Sequence, residues 1–425
     1  MTVQAELSIK AIPSTEKYQT VVMLLMVLGM YLPTSMGGAI TWSLMAIAYL
    51  LVVCFYSYLF WTLGLDEDQF LLFSVPIVFV LISATFFSTL YVFGIGVLWV
   101  YVPVALLYSL RLRSLTFGRA LRALFVACNL VNIGLGACAV FHVERVNGLV
   151  MSYYSNFFPD LVPGMLEFGK PVLTFATHSL AGFFIFLFFW LNFRTYLSTR
   201  RFAFLIFAVC YFTFDLCLLS VTGFGFALFA FAIMSVHFWR RNPRTVATAL
   251  LAFFFLVPRI VHRLYSPIEN WQDLVEIVSP AFTSPGEGFL GRYGSQGNNV
   301  SNLKYIAEHP FSPTGLTTAG NLFIGDSGPV EYLIRGSVLL LFLMYVGLFQ
   351  FLRRNLAGKL DMYVLFLAIL VMELGFTSLT YFRLMYLLPV AVIYLNSLPK
   401  PEAAALNRFG WRGADSGLDC HAGRA

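Results

Sequence analysis

The chain has 425 residues, of which 59% are hydrophobic and 11% charged. A soluble domain carries about 25% charged residues, so this composition excludes a soluble globular protein, a disordered chain and a basic nucleic-acid-binding domain. A net charge of +6 with 45 Phe and 21 Tyr, at a mean hydropathy of +0.79, fits a polytopic membrane protein with aromatic side chains at lipid-facing and interfacial positions.

Residues 1–17 are polar and read as a cytoplasmic segment rather than a cleaved leader. About 20 apolar residues cross the hydrocarbon core as a helix. Runs of about that length lie at 18–36, 39–61, 70–90, 92–110, 120–141, 172–193, 202–219, 222–239, 245–264, 330–352, 362–380 and 382–398. Gly94 and Gly96 are expected to break one nearly fused pair of runs, and Gly223 and Gly225 another. Five of the six Cys fall inside these runs, and no C-x-x-C spacing occurs.

Lys and Arg orient the spans. With a cytoplasmic N-terminus, every short basic loop falls on one side: Arg111 to Arg122, Arg194 to Arg201, Arg240 to Arg244 and Arg353 to Lys359. The expected fold is therefore all-α: a transmembrane helix bundle of about twelve spans over 18–398, both termini cytoplasmic, and a cytoplasmic tail at 399–425. Segments 142–171 and 265–329 become extracytoplasmic loops. The larger carries Trp271, Phe282, Phe289 and Tyr293 among Gly, Pro, Asn and Ser, a content that suits function better than a passive linker. Short helices are expected within it at 268–280 and 299–308.

Arg259, His262 and Arg263 share one helix face at the outer end of the 245–264 run. Two guanidinium groups and an imidazole suit a diphosphate; the alternative is snorkelling at a helix end. The other outer cations are Arg145, Lys170, Arg292, Arg335 and Arg383. Arg145 has Glu144 beside it, Arg335 has Glu331 four residues earlier, and Arg383 falls at the membrane boundary, facing headgroups or the bundle interior. Arg292 lies in the large loop. His178 falls about seven residues, roughly 10 Å, inside its run, where an ionisable group is a functional candidate or a hydrogen-bonded neutral imidazole. Glu373 reads as the one carboxylate deep in a span, pairing with a basic residue or lining a polar cavity. Asp66-Glu67-Asp68 is a solvated cytoplasmic loop in this orientation, and a metal-binding acidic site in the inverted one.

AEHPFSPTGL at 307–316, followed by GDSGPVEYLIRGSVLLLFLMYVGLF at 325–349, resembles the Wzy family of bacterial polysaccharide polymerases, within the O-antigen ligase/polymerase superfamily. Pro310, Gly315, Asp326, Ser327 and Gly336 occupy the places of its motifs. LLSVTGFGFALFAF at 218–231 is similar to the family's helix hairpin, with Val221 where an Arg is usual, and TFATHSLAGFF resembles the start of another span. The missing Arg makes the chain similar to exopolysaccharide-forming members, the xanthan-type polymerases among them.

The resemblance implies a bacterial inner-membrane, multi-pass glycosyltransferase with no metal and no nucleotide sugar. A glycan carried on undecaprenyl diphosphate passes en bloc to the non-reducing sugar of a newly flipped lipid-linked repeat unit, and the lipid diphosphate leaves. The implied partners are the undecaprenyl-diphosphate-linked oligosaccharide and, in the same pathway, a chain-length regulator and a flippase; no nucleic acid is expected. Arg259, Arg263, His178, Arg145 and Arg383 are then candidates for substrate binding, and His262, Asp326 and Arg292 for catalysis. Asp326 takes a proton, anchors an Arg or caps the helix that follows. A ligase of the same superfamily stays open, with His309 the one loop histidine outside PRIVHR. So do a lipid-linked oligosaccharide transporter and a metal-dependent transferase acting through Asp66 and Asp68.

Overall fold

The computed structural model describes residues 13–33, 39–88, 90, 92–115, 118–154, 161–175, 177–239, 272, 293, 299–310, 312–318 and 327–399. Helices dominate: α1 (Pro13–Gly29), α2 (Ala39–Leu63), a short α3 (Glu67–Gln69) that passes through a π-helical turn (Phe70–Ser74) into α4 (Val75–Phe87), α5 (Ile95–Tyr108), α6 (Arg119–Val140), α7 (Glu144–Tyr154), α8 (Leu161–Glu167), α9 (His178–Thr199), α10 (Phe202–Cys217), α11 (Val221–Trp239), α12 (Val300–Glu308), α13 (Gly328–Asn355), α14 (Lys359–Glu373) and α15 (Phe382–Asn396). Two-residue strands, β1 (Val92–Phe93) and β2 (Thr317–Thr318), pair antiparallel.

Every expected run except 245–264 overlaps a helix, with ends displaced by several residues in places, and 245–264 lies outside the described residues. Among the described residues six helices are long and apolar enough to cross a membrane: Ser43–Leu63, Glu67–Phe87, α6, α9, Val221–Phe238 and α13. The apolar helices α5, α10 and α15 are shorter. Backbone hydrogen bonding forces this choice, because a spanning segment must satisfy its own N–H and C=O groups.

Helix α9 is the axis of the bundle. It is apolar on all sides, and 89% of its spanning window is buried, against 22–50% for the other five. A helix apolar all round belongs inside. Phe184 stacks on Phe175, Phe188 on Tyr211, and Phe186 on both Phe226 and Phe229. The outer helices leave Trp61, Phe79 and Phe86 largely exposed, as a lipid-facing surface requires.

The loops gather at two ends. At one end Arg194 makes a bidentate pair with Asp361, at 2.6 and 2.9 Å. Arg354 reaches Asp66 at 3.0 Å, Asn355 bonds Leu110 and Leu112, and Asn396 bonds Asn355 and Ala357. Basic loops that the sequence assigns to one side therefore touch one another. The Asp66–Asp68 acidic triplet belongs to this end: Asp66 caps α3 by accepting from Gln69 N at 3.3 Å, and Arg354 holds it.

The opposite end carries the longer connections. Segment 142–171 folds into α7 and α8, with Asn147 and Val150 buried and the Tyr154 hydroxyl donating to the Tyr31 carbonyl at 2.8 Å. Within 265–329, α12 stands where 299–308 is expected; 268–280 lies outside the described residues apart from Gln272.

Three local expectations need correction. His178 is the first residue of α9, not a residue seven positions inside a span. Thr177 starts the helix there by accepting from Leu180 N at 3.3 Å, after Leu173 turns the chain at φ 55°. The α10–α11 break falls at Leu218–Ser220, with Leu219 at φ 44°, rather than at Gly223 and Gly225. Gly223 instead permits close packing, because a Cβ there would lie 2.5 Å from the Asp215 carbonyl. Lastly, α13 is interrupted at Gly336 and Ser337 (φ 62°, ψ −166°).

Candidate functional site

The interruption in α13 frees two carbonyls that an unbroken helix would use. Segment 312–318, the end of the large loop, takes them. Thr314 N donates to Ile334 O at 2.8 Å and Gly315 N to Arg335 O at 2.9 Å, with Thr314 Oγ1 adding a bond to Ile334 O at 3.2 Å. Arg335 Nη1 donates back to the Gly315 and Thr317 carbonyls at 3.2 and 2.6 Å. On the other flank Leu316 N bonds Thr85 Oγ1, Gly94 N bonds Leu316 O, and the Ser88 and Thr317 hydroxyls pair at 2.6 Å.

Residues 314–317 are buried, which is tolerable only because these bonds satisfy their backbone. Gly315 is needed here. It adopts φ 55°, and a Cβ would run into Thr85 N and lie 2.6 Å from Leu81 O. The strained Ser337 backbone costs about 1–3 kcal/mol, which the docked segment offsets.

Arg335 is 2% exposed. Among the described residues it forms no ion pair. This departs from the expected pairing with Glu331, because its Nη1 is committed to the segment carbonyls.

Beside this junction lies a nest of carboxylates and hydroxyls. Glu373 is fully buried. It accepts from Leu379 N at 2.6 Å, Ser378 Oγ at 2.7 Å and Tyr345 OH at 3.3 Å. The oxygen that Tyr345 reaches also lies against Gly328, at the start of α13. The sequence suggested a basic partner or a polar cavity; hydroxyls and a backbone amide do the work instead. Glu331 accepts from Thr377 Oγ1 at 2.9 Å and Tyr101 OH at 3.3 Å. Tyr293, in the large loop, donates to Leu374 O and pairs with the Ser327 hydroxyl, each at 2.6 Å. The large loop is thus tied to α13 and α14 at the edge of the nest.

Of the outer cations, Arg383 turns to the interior. It is fully buried, with Nη1 on Thr174 O and Oγ1 at 2.7 and 3.2 Å, and Nη2 on Leu32 O at 2.6 Å. Its guanidinium also packs over the rings of Phe175 and Tyr154 at 5.0 and 5.3 Å. It ties α15 to the α1 end and the segment before α9. Arg145 is exposed on α7, and Lys170 is half-buried, where burial pushes its ammonium below the usual lysine range. His178 is half-buried at the α9 start. Arg259, His262, Arg263, Arg292 and Asp326 lie outside the described residues.

Two buried acids escaped the sequence as site candidates. Asp215, near the end of α10, is fully buried, and among the described residues neither of its oxygens has a hydrogen-bond partner; Glu373 is thus not alone as a buried acid in the bundle. Glu331 was read only as a partner for Arg335. The signal for both was an acid inside an apolar run. His309 stacks on Tyr305 at a centroid distance of 4.7 Å, just before the returning segment.

Comparison with family models, with curated proteins and with solved structures found no match.

Proposed function

We propose that the chain is a bacterial inner-membrane polysaccharide polymerase of the Wzy type, which joins undecaprenyl-diphosphate-linked oligosaccharide repeat units at the extracytoplasmic face. The observation that carries this reading is the junction at α13. The two stretches that resemble the family, 307–316 and 325–349, meet in one structure: the first plugs the interruption in the second. The loop that would cover a lipid-linked sugar is thereby fixed to the bundle beside buried acids and hydroxyls.

In this reading Arg259 and Arg263 grip the diphosphate of the donor, and His262 supplies a proton as the lipid diphosphate leaves. Arg292 steadies the acceptor sugar from the loop. Asp326 anchors a guanidinium near the start of α13. His178 and Arg145, both at the loop-bearing end, extend the polar surface toward the headgroup region, and Arg383 holds the floor beneath it. A chain-length regulator and a flippase of the same pathway are the natural neighbours.

One observation favours a second reading. Interrupted helices with buried ionisable groups are also how transporters form substrate sites, so the break in α13 suits a lipid-linked oligosaccharide flippase. Deletion of the gene separates the two. The polymerase reading expects single repeat units on the outer face and no polymer; loss of any outward-facing lipid-linked unit would select the flippase. Full-length polymer left on its lipid carrier would instead select a ligase.

A further inference from the structure

We propose that α7 lies in the membrane interface at the loop-bearing end, with Leu149 and Tyr153 among the acyl chains and Glu144 and Ser152 in water. The inference needs only the membrane character of the chain, not the polymerase reading.

The depth of α7 follows from α6. That helix has 22 residues, about 33 Å at a rise of about 1.5 Å per residue, which matches the roughly 30 Å hydrocarbon core. Arg119 and Arg122 mark its basic end, so Val140 at its other end reaches the opposite boundary. Leu130 and Val131 are exposed along it, and Phe141, just past its end, is 72% exposed. The lipid-facing surface of α6 therefore runs up to the start of α7. Between the two helices His142 takes φ 53°. Its N–H donates to Ala139 O at 3.1 Å, and the Val143 N–H donates to Cys138 O at 2.8 Å, the closure of a helix on a left-handed residue. The chain thus turns at the boundary, and α7 does not continue the α6 axis.

Helix α7 then meets three surroundings. One side packs on the bundle: Asn147 and Val150 are buried, and the Tyr154 hydroxyl donates to the Tyr31 carbonyl. At about 100° per residue, the exposed positions follow one another around the helix as Glu144, Ser152, Arg145, Leu149 and Tyr153. Polar residues fill one part of that arc. Leu149 and Tyr153, 60% and 50% exposed, fill the other. The exposed residues of α4, by contrast, are apolar throughout: Val75, Phe79, Ile82, Phe86 and Phe87. A divided arc belongs to a helix lying in the plane of the interface. Arg145 occupies the seam, where an apolar stem and a charged head suit the passage from acyl chain to phosphate. Lipid rather than protein covers the apolar part, because that part is continuous with Phe141 and the α6 surface. Two side chains also fall far short of the ~1,000 Å² that a specific protein interface buries.

The test adds a fluorescent reporter at the exposed positions. Full-length Leu149→Trp, Tyr153→Trp, Glu144→Trp and Ser152→Trp proteins are reconstituted in phosphatidylcholine nanodiscs. The emission added over wild type is measured with brominated acyl chains and, separately, with acrylamide in the water. The Leu149→Trp and Tyr153→Trp proteins should lose about half or more of the added emission to brominated lipid and little to acrylamide, since an apolar interfacial face sits about 5–10 Å into the headgroup and acyl boundary. The Glu144→Trp and Ser152→Trp proteins should show the reverse. Four proteins quenched alike would overturn the proposal, by putting α7 wholly in water or wholly in lipid. Added emission shielded from both agents in Leu149→Trp and Tyr153→Trp would also overturn it, by putting protein on this face. Should one protein fail to express, the other member of its pair decides.

Discussion

Replacing Gly315 by Ala should undock the end of the large loop from α13. The Gly315 backbone is left-handed, at φ 55°, which costs an L-residue about 1–2 kcal/mol. The new methyl would also press on backbone atoms of α4 at Leu81 and Thr85, which cannot swing aside as a side chain can; such overpacking costs about 1–3 kcal/mol. Together these weaken docking by about 2–5 kcal/mol, or ~30- to ~4,000-fold in the docking equilibrium. Ser88 and Thr317 report docking directly, since their hydroxyl oxygens lie 2.6 Å apart. A Ser88→Cys/Thr317→Cys protein should form a disulfide under mild oxidation, and the same protein with Gly315→Ala should form much less. Gly96→Ala is the control, because nothing lies within 4 Å of a Cβ there. Equal cross-linking with Ala at 315 would refute the claim that this segment is locked into the break.

The other predictions concern the two ends of the bundle. Arg194→Ala should destabilise the protein by about 3–5 kcal/mol in thermal unfolding, since it strands the buried Asp361 carboxylate; Arg194→Lys should recover only part of this, lacking the bidentate fork. An Arg259→Ala/Arg263→Ala protein should elongate glycans ~10²–10³-fold more slowly at normal expression, and normal polymer length on gels would exclude diphosphate binding there. Asp326→Asn should abolish most polymer if the side chain anchors an Arg and almost none if it only caps α13. An impermeant thiol reagent on intact cells should label Cys at Asn156 and Ser284 but not at Asp66, and the reverse pattern would invert the bundle.

Helix positions were legible in the sequence because the bilayer demands a minimum apolar length, and that demand is written residue by residue. The basic end was legible for a related reason: Arg and Lys mark loops, and there Arg194 pairs with Asp361 and Arg354 with Asp66. The break in α13 was not. Gly336 and Ser337 sit within a continuous apolar run, and a segment some 20 residues earlier in the chain stabilises the interruption. The same non-local contact misled the Glu331–Arg335 expectation, since helical spacing says that two side chains can meet but not what else competes for them. Thr177 and the turn at Leu173 displaced His178 to the helix start, because a cap and a left-handed residue outweigh hydrophobicity in deciding where α9 begins. Arg383 was ambiguous for want of a partner in sequence; its acceptors are carbonyls of Leu32 and Thr174, which no sequence pattern marks.

Reconstitution tests the central claim most directly. Purified protein in nanodiscs, given only undecaprenyl-diphosphate-linked repeat units, should yield a ladder of lipid-linked glycans two or more repeats long and release one undecaprenyl diphosphate per new linkage. Repeat units that remain single while the protein moves them between leaflets would contradict the polymerase account.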